Sequence, residues 1–404
     1  MTRSLKESRE DFPALTRTVN GTLLAYFDGP AGTQVPRSVI EAISHYYETS
    51  NANTHGAFIT SAETDDLIHN VRETVAAFLN ASSPATISFG QNMTTLNFAL
   101  SRALLGMLDD GDEIVVTELD HEANRGPWLN LRQHGIVVRE VAMKEDGRLD
   151  YDDFRDKVTA KTRLVAMGMA SNALGTVNRI EEVREWTRAA GAWLLLDAVH
   201  YAPHFSIDVQ ALDVDFLLCS AYKFYAPHVG ILYARPGLLD RIPTERLITQ
   251  SEAAPERMET GTLNHAALAG VKAGIEYMAG WGEGPSLRTR LVSAMRRIGE
   301  HENLLARRYY DALMRMPGVE IAGPDFSDEQ RAPTVSVSVK GVDAAEVARR
   351  LSEMSIAVWN GDFYARRAVE KLGLVDRGGL VRSGFFLYNT TDEVDRLIEG
   401  MKAV

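Results

Sequence analysis

The chain has almost no cysteine: Cys219 is the single one among 404 residues. No disulfide can form within it, and that scarcity fits a reducing compartment, so a cytoplasmic protein is expected. Long apolar runs are missing too, and no stretch reaches the length needed to span a bilayer. The first residues, MTRSLKESREDFPALTR, are charged throughout and lack the apolar segment of a signal peptide. Positive charge is in deficit, with 43 Lys and Arg against 55 Asp and Glu and a net charge of −12. This balance argues against general nucleic-acid binding and against a basic membrane-docking face. The 10 histidines are scattered. His121–Glu122 begins a zincin-like motif, but Arg125 stands where the second histidine must be, so no metal site is expected.

What is present is ordinary for a globular chain: 45% hydrophobic and 24% charged residues. The length suggests two domains, or one large domain with a smaller companion. Short apolar runs (113–119, 136–143, 162–170, 192–198, 214–220 and 229–235) read as buried strands. Helical stretches such as ANRGPWLNLRQHG and IEEVREWTRAAG separate most of them. That alternation predicts an α/β fold with a mainly parallel sheet covered on both faces. Residues 265–281 and 285–316 read as long helices. The alternating PTVSVSVKG and the helical DAAEVARRLSEM and TTDEVDRLIEGMKAV then predict a small α+β domain. The expected divisions are an N-terminal segment 1–25, a large domain 26–284 and a small domain 285–404.

The chemistry gathers at predicted strand ends. WLLLDAVH ends on Asp197 and His200, and FLLCSAYK ends on Ser220, Tyr222 and Lys223. In open α/β sheets ligands sit beyond the carboxyl ends of strands, so Asp197 and Lys223 are expected to face one cleft. A buried lysine with a lowered pKa can form a Schiff base with an aldehyde such as pyridoxal phosphate. A carboxylate on the pyridine nitrogen lets that cofactor act as an electron sink. A surface lysine and a capping aspartate would look the same in sequence. Gly90, Gln91, Asn92, Met93 and Thr94 join a strand to a helix, where free N–H groups can hold a phosphate. Hydroxyls of Thr94 and Ser220 could add to them, and plain helix capping by Asn92 or Thr94 is the alternative. His121, just past a strand, could stack on a pyridine ring and move protons.

DHEAN, ASNALGT, LLLDAVH, SAYKFYAP, METGTLN and VRSGFFLYNTTDEVDRL follow one another in an order and spacing that resembles aminotransferase class V, in its cysteine desulfurase-like branch. The likeness runs from about Tyr26 to Arg396. It implies fold type I of the pyridoxal-phosphate-dependent enzymes and a homodimer with shared active sites. It implies that Lys223 holds the cofactor and moves protons, that Asp197 pairs with the pyridine nitrogen, and that His200 contacts the ring hydroxyl. His121 would stack on the ring. Asn92, Met93, Ser220 and Tyr222 would hold the phosphate, and Thr262 would reach the phosphate of the neighbouring subunit. Asn172 and Arg382 would bind the substrate α-carboxylate, for which a planar guanidinium is well shaped.

A desulfurase also needs a cysteine on a mobile loop of the small domain. The matching stretch, VWNGDFYARRAVEKLG, has Tyr364 at that position and no cysteine nearby. Cys219 lies in the run leading to Lys223 and is expected to be a buried packing thiol. Persulfide transfer is therefore not expected. Cβ-bond cleavage of the C–S lyase, desulfinase or β-decarboxylase type needs no thiol; neither do transamination and Cα epimerisation. A non-catalytic binding protein on the same fold is the further alternative. An acidic substrate side chain would need a cation, for which Arg366, Arg367, Arg125 and His55 are candidates; a solvated helix face explains Arg366 and Arg367 as well. Gly32 and Thr33 could approach the substrate carboxylate, and Asn53 and His55 could line the pocket mouth. Tyr364, Trp359 and Phe363 are expected to shape the pocket.

Overall fold

The computed structural model describes residues 4–327 and 330–404. The apolar runs form a seven-stranded sheet. Its order is Ile87–Gly90, Gly230–Ala234, Phe216–Ser220, Trp193–Asp197, Thr162–Gly168, Glu113–Thr117 and Val137–Val141. The last five strands are mutually parallel. Gly230–Ala234 alone runs against both of its neighbours. The strands Phe216–Ser220, Gly230–Ala234 and Glu113–Thr117 are buried at every residue. A sheet covered by helices on both faces leaves no polar face, which is why these strands read as unbroken apolar runs.

Helices lie where the sequence pattern puts them, with shorter ends. Residues 265–281 contain the helix His265–Ala279, and 285–316 contain Leu287–Leu313, which Ser286 opens with a capping box. The stretch ANRGPWLNLRQHG is α-helical only over its first part, within Glu122–Leu129. It tightens to a 3-10 turn over Asn130–His134. Pro127 withdraws one N–H from that short helix.

A second, antiparallel sheet has the order Val319–Ala322, Thr334–Val339, Leu380–Gly384 and Trp359–Gly361. The helix Leu287–Leu313 joins the two units. Leu291, Met295 and Ile298 sit in the main core, whereas Leu305, Tyr309 and Leu313 sit in the core of the smaller sheet. Residues near the N-terminus belong to both. Ala25–Tyr26 pairs in parallel with Ile356–Ala357, and Phe27 packs in the small core. Phe12 is buried against Tyr225, Tyr277 and Tyr388. Arg9 forms a 2.7 Å ion pair with Glu393, and the Ser8 hydroxyl donates to the Leu387 carbonyl. Ser8, Arg9 and Phe12 thus strap the two units together.

Candidate active site

The parallel strands end at one pocket. Asp197 closes Trp193–Asp197, Ser220 closes Phe216–Ser220, Gly168 closes Thr162–Gly168, and His121 follows Glu113–Thr117; all four line the same cavity. Met93, Thr94, Asn172, His200, Tyr222 and Lys223 line it as well. The enclosed space with its opening is about 570 Å³, the size of a small-molecule site.

Burial strips this pocket of water and moves its ionisable groups. Lys223 is driven down to about 7, first by burial and then by the Arg382 charge. Its Nζ donates to the carbonyls of Pro30 at 2.5 Å and Ala31 at 2.9 Å. Asp197 is pushed up to about 7 by burial, although it accepts the Val199 N–H at 2.8 Å. Burial holds His121 down at about 4, so it is neutral near pH 7. Its Nδ1 accepts the Ala123 N–H at 3.0 Å, which puts the ring proton on Nε2. His200 is also held neutral by burial, and its Nε2 lies 3.1 Å from the Thr334 hydroxyl. Behind it His204 and Glu302, both fully buried, pair at 2.8 Å.

The small unit supplies one wall. Arg382 projects from Leu380–Gly384 and is buried. It donates to the Asn172 carbonyl at 3.1 Å and pairs with Asp28 at 3.3 Å. Its guanidinium lies 4.3 Å from the centre of the Phe363 ring, and its Nε has no partner. The Asn172 amide donates to the Phe363 carbonyl at 2.8 Å, leaving its own buried Oδ1 unpartnered. Phe363 and Tyr364 both adopt positive φ, 54° and 58°. That turn is pinned by the Asp362 carboxylate on the Tyr364 N–H and by the Glu122 N–H on the Tyr364 carbonyl. The Tyr364 ring, 72% exposed, tilts over His121 with centroids 5.5 Å apart.

At the opposite end the helix Met93–Leu105 points its N-terminus into the pocket. Asn92 caps it: its side chain takes the Thr95 N–H at 2.9 Å, so that side chain is already engaged. The Ser220 hydroxyl takes the Met93 N–H at 2.9 Å. Gly230 must be glycine there, because a Cβ would come within 2.4 Å of the Asn92 carbonyl carbon. Tyr222 stacks on His228 with centroids 4.4 Å apart, and Lys223 Nζ stands 4.9 Å from the Tyr222 ring.

Several expected participants lie elsewhere or are occupied. Asn53, His55 and Thr262 line a different groove, beside Arg72, Glu256 and Glu259. The Thr33 hydroxyl bridges the Tyr222 carbonyl and the Tyr225 N–H and so clamps the lysine turn; a Cβ at Gly32 would stand 3.6 Å from the Tyr222 ring. The candidate cations for an acidic side chain are all paired. Arg125 bonds Glu122 and Glu140, Arg366 bonds Glu370, Arg367 bonds Glu370 and Glu118, and His55 meets Asp65. Cys219 is fully buried within its strand, and burial raises its thiol pKa.

Two residues of the site were not anticipated. Asp120, pushed up to about 6 by burial, accepts from the Gly168 N–H and the Asn124 amide, and its charge raises Asp197 further. It directly precedes His121, and that adjacency was the available signal. Asp28, in YFDGP, is the partner of Arg382 and comes from a segment 354 residues away; nothing local marks it.

The sequence model described as Aminotransferase class-V matches residues 25–397. A "Probable cysteine desulfurase" from Synechocystis sp. is 34% identical, covering 98% of this chain and 94% of its own. A "Cysteine desulfurase" from Serratia proteamaculans is 33% identical, covering 100% of this chain and 99% of its own. Among solved structures, the apo cysteine desulfurase from Thermococcus onnurineus NA1 superposes with a TM-score of 0.89. It is 28% identical and covers 100% of this chain and 98% of its own.

Proposed function

The chain belongs to the aminotransferase class-V family, in its cysteine desulfurase-like branch, and from that premise we propose that it cleaves a bond at Cβ of an amino acid without persulfide chemistry. It is an enzyme that uses pyridoxal 5′-phosphate and acts on a small amino-acid substrate. The pocket fits this cofactor by its own chemistry: a buried amine, a buried carboxylate, and a helix N-terminus packed so closely that Gly230 admits no Cβ. When bound, the cofactor supplies an electron sink that acidifies the substrate Cα–H.

In this reading Lys223 holds the cofactor through Nζ and takes the Cα proton, for which an amine titrating near 7 is suited. Asp197 pairs with the pyridine nitrogen, and His121 stacks on the ring as a neutral imidazole. His200 contacts the ring hydroxyl. Met93, Thr94, Ser220 and Tyr222 surround the phosphate. Asn172 and Arg382 take the α-carboxylate, which would give the unpartnered Arg382 Nε an acceptor. Thr262 sits apart from Lys223 in its own chain, so a second copy would bring it to a phosphate. The division between large and small domains falls at about residue 285 in this reading, although the helix that follows keeps Leu291, Met295 and Ile298 in the main core, and Ser8, Arg9 and Phe12 strap the two together.

The observation that carries the persulfide exclusion is Cys219, sealed inside a strand while Tyr364 occupies the loop. No helix among the described residues is long and apolar enough to cross a membrane. Product identity tests the reading. Pyruvate or alanine from a β-substituted amino acid, formed without an amino acceptor, supports it. A 2-oxo acid that appears only with an amino acceptor makes the enzyme an aminotransferase instead.

A further inference from the structure

The mouth of the pocket is dense with charge, and its arginines are all taken up by carboxylates. Around Tyr364, Arg125 pairs with Glu122 and Glu140, and Arg132 reaches Glu140 at 2.9 Å. Arg367 reaches Glu118 at 3.4 Å, Glu140 at 3.8 Å and Glu370 at 3.2 Å. Arg366 pairs with Glu370 at 2.8 Å and Asp362 at 3.8 Å. Five carboxylates thus face four guanidinium groups. Two of the carboxylates, Glu122 and Glu140, converge on the buried Arg125, which cannot turn to a ligand without stranding them.

The pocket's remaining cations are committed. Among the described residues lining or bordering it, Lys223 serves the cofactor, Arg382 serves the α-carboxylate, and His121 and His200 are neutral. A side chain extending from Cβ toward the mouth meets the rings of His121 and Tyr364, with Phe363 beneath Arg382.

We propose that this enzyme selects β-substituted amino acids with an uncharged, apolar side chain, S-substituted cysteines being the class that fits, and rejects β-carboxylates and β-sulfinates. The selection rests on the Cβ-cleavage reading. The reaction of an S-substituted cysteine balances with water: the Cβ–S bond breaks, Lys223 takes the Cα proton, and the products are a thiol, pyruvate and ammonia, with no net oxidation. An aspartate or a cysteine sulfinate would bring its second anion to a net negative mouth, and like-charge juxtaposition is the costlier contact.

The test titrates the cofactor-loaded enzyme with S-phenyl-L-cysteine, L-aspartate and L-cysteine sulfinate. It follows the change in cofactor absorbance on binding and, separately, pyruvate and alanine formation. S-phenyl-L-cysteine is expected to bind roughly tenfold or more tightly than either diacid. Glu140→Gln, which removes a carboxylate shared by Arg125, Arg132 and Arg367 and makes the mouth less negative, should narrow that gap. Glu370→Gln, on the exposed side of the cluster, should narrow it less and serves if the first variant fails to fold. Equal or tighter binding of aspartate or cysteine sulfinate overturns the proposal, even if alanine is then formed and Cβ cleavage stands. A binding preference for the thioether with no product from any of the three sustains the selectivity and overturns the Cβ reading.

Discussion

The floor of the pocket and its mouth treat charge in opposite ways. On the floor, Asp197 and Asp120 are buried, Lys223 and His121 are half-buried, and all four are shifted far from their usual pKa values, with desolvation the leading cause each time. At the mouth, Glu118, Glu140 and Glu370 share Arg125, Arg366 and Arg367; the pairs with Arg366 and Arg367 are partly open to water, and the pair with Arg125 is buried. Displaced pKa values mark groups poised for proton transfer, whereas satisfied surface pairs mark shape and exclusion. The floor is therefore placed to carry proton transfer, and the mouth to shape access to it.

The sharpest way to break that division is Lys223→Met. It should abolish the covalent cofactor absorbance and lower turnover by roughly 10²–10⁴-fold from the lost proton transfer alone. The same variant should stabilise the cofactor-free protein at pH 7. The folded Lys223 pKa of about 7 lies below the usual 10.5, so between those values the unfolded chain binds the extra proton. Stability therefore rises with pH across that window, and removing the amine recovers a contribution on the order of a few kcal/mol. Glu370→Gln at the mouth should leave the melting temperature unchanged. Comparable shifts in both variants would erase the distinction.

Next in size is Arg382→Ala. Loss of a buried guanidinium costs about 2–5 kcal/mol in binding, seen as a KM at least about 30-fold higher with Asp28 left unpaired. Arg382→Lys should restore only part of it, since an ammonium cannot match a carboxylate bidentately. A KM unmoved by either change would take the α-carboxylate away from this residue.

Cofactor uptake by the cofactor-free enzyme gives a smaller and graded effect. The attacking amine must be neutral, and at a pKa near 7 its neutral fraction climbs roughly tenfold between about pH 6 and pH 8, then levels. Asp197 becomes ionised over the same interval. Stopped-flow absorbance should follow that curve. A rate still climbing tenfold per pH step above pH 8 would mean an ordinary, solvated lysine.

Sequence carried the floor well because its signals are local. Apolar strands ending on Asp197 and on Ser220–Lys223 identify both the sheet and its ligand edge, and the parallel order follows from the helices between them. It could not carry contacts that form across the chain. Asp28 meets Arg382 only because Ala25–Tyr26 pairs with Ile356–Ala357 and Asp28 bridges to Gly384 at the end of the small sheet, and Gly230–Ala234 reverses direction without any change in its apolar pattern. Asn92 read equally as a phosphate donor and as a cap, and only the Thr95 N–H at 2.9 Å decides where its side chain goes. Arg125, Arg366 and Arg367 were candidate cations for a substrate; Glu122 and Glu370, three or four residues away on the same helices, are a local sign of pairing, whereas Glu118 and Glu140 reach them only through the fold.

The smallest effect belongs to Tyr364→Gly, and it isolates the mouth from the floor. Tyr364 holds a left-handed φ of 58°, which costs a side chain about 1–2 kcal/mol and costs glycine nothing. Against that relief stands the lost ring contact with His121, worth about 0.5–1.5 kcal/mol. The bonds that pin the turn, from Glu122 and to Asp362, use the Tyr364 backbone and survive the change. Stability should therefore stay within about 1 kcal/mol, while the preference for an apolar substituent weakens and cofactor absorbance is preserved. A drop of many degrees in melting temperature would make Tyr364 a structural keystone, and the mouth could no longer be separated from the machinery beneath it.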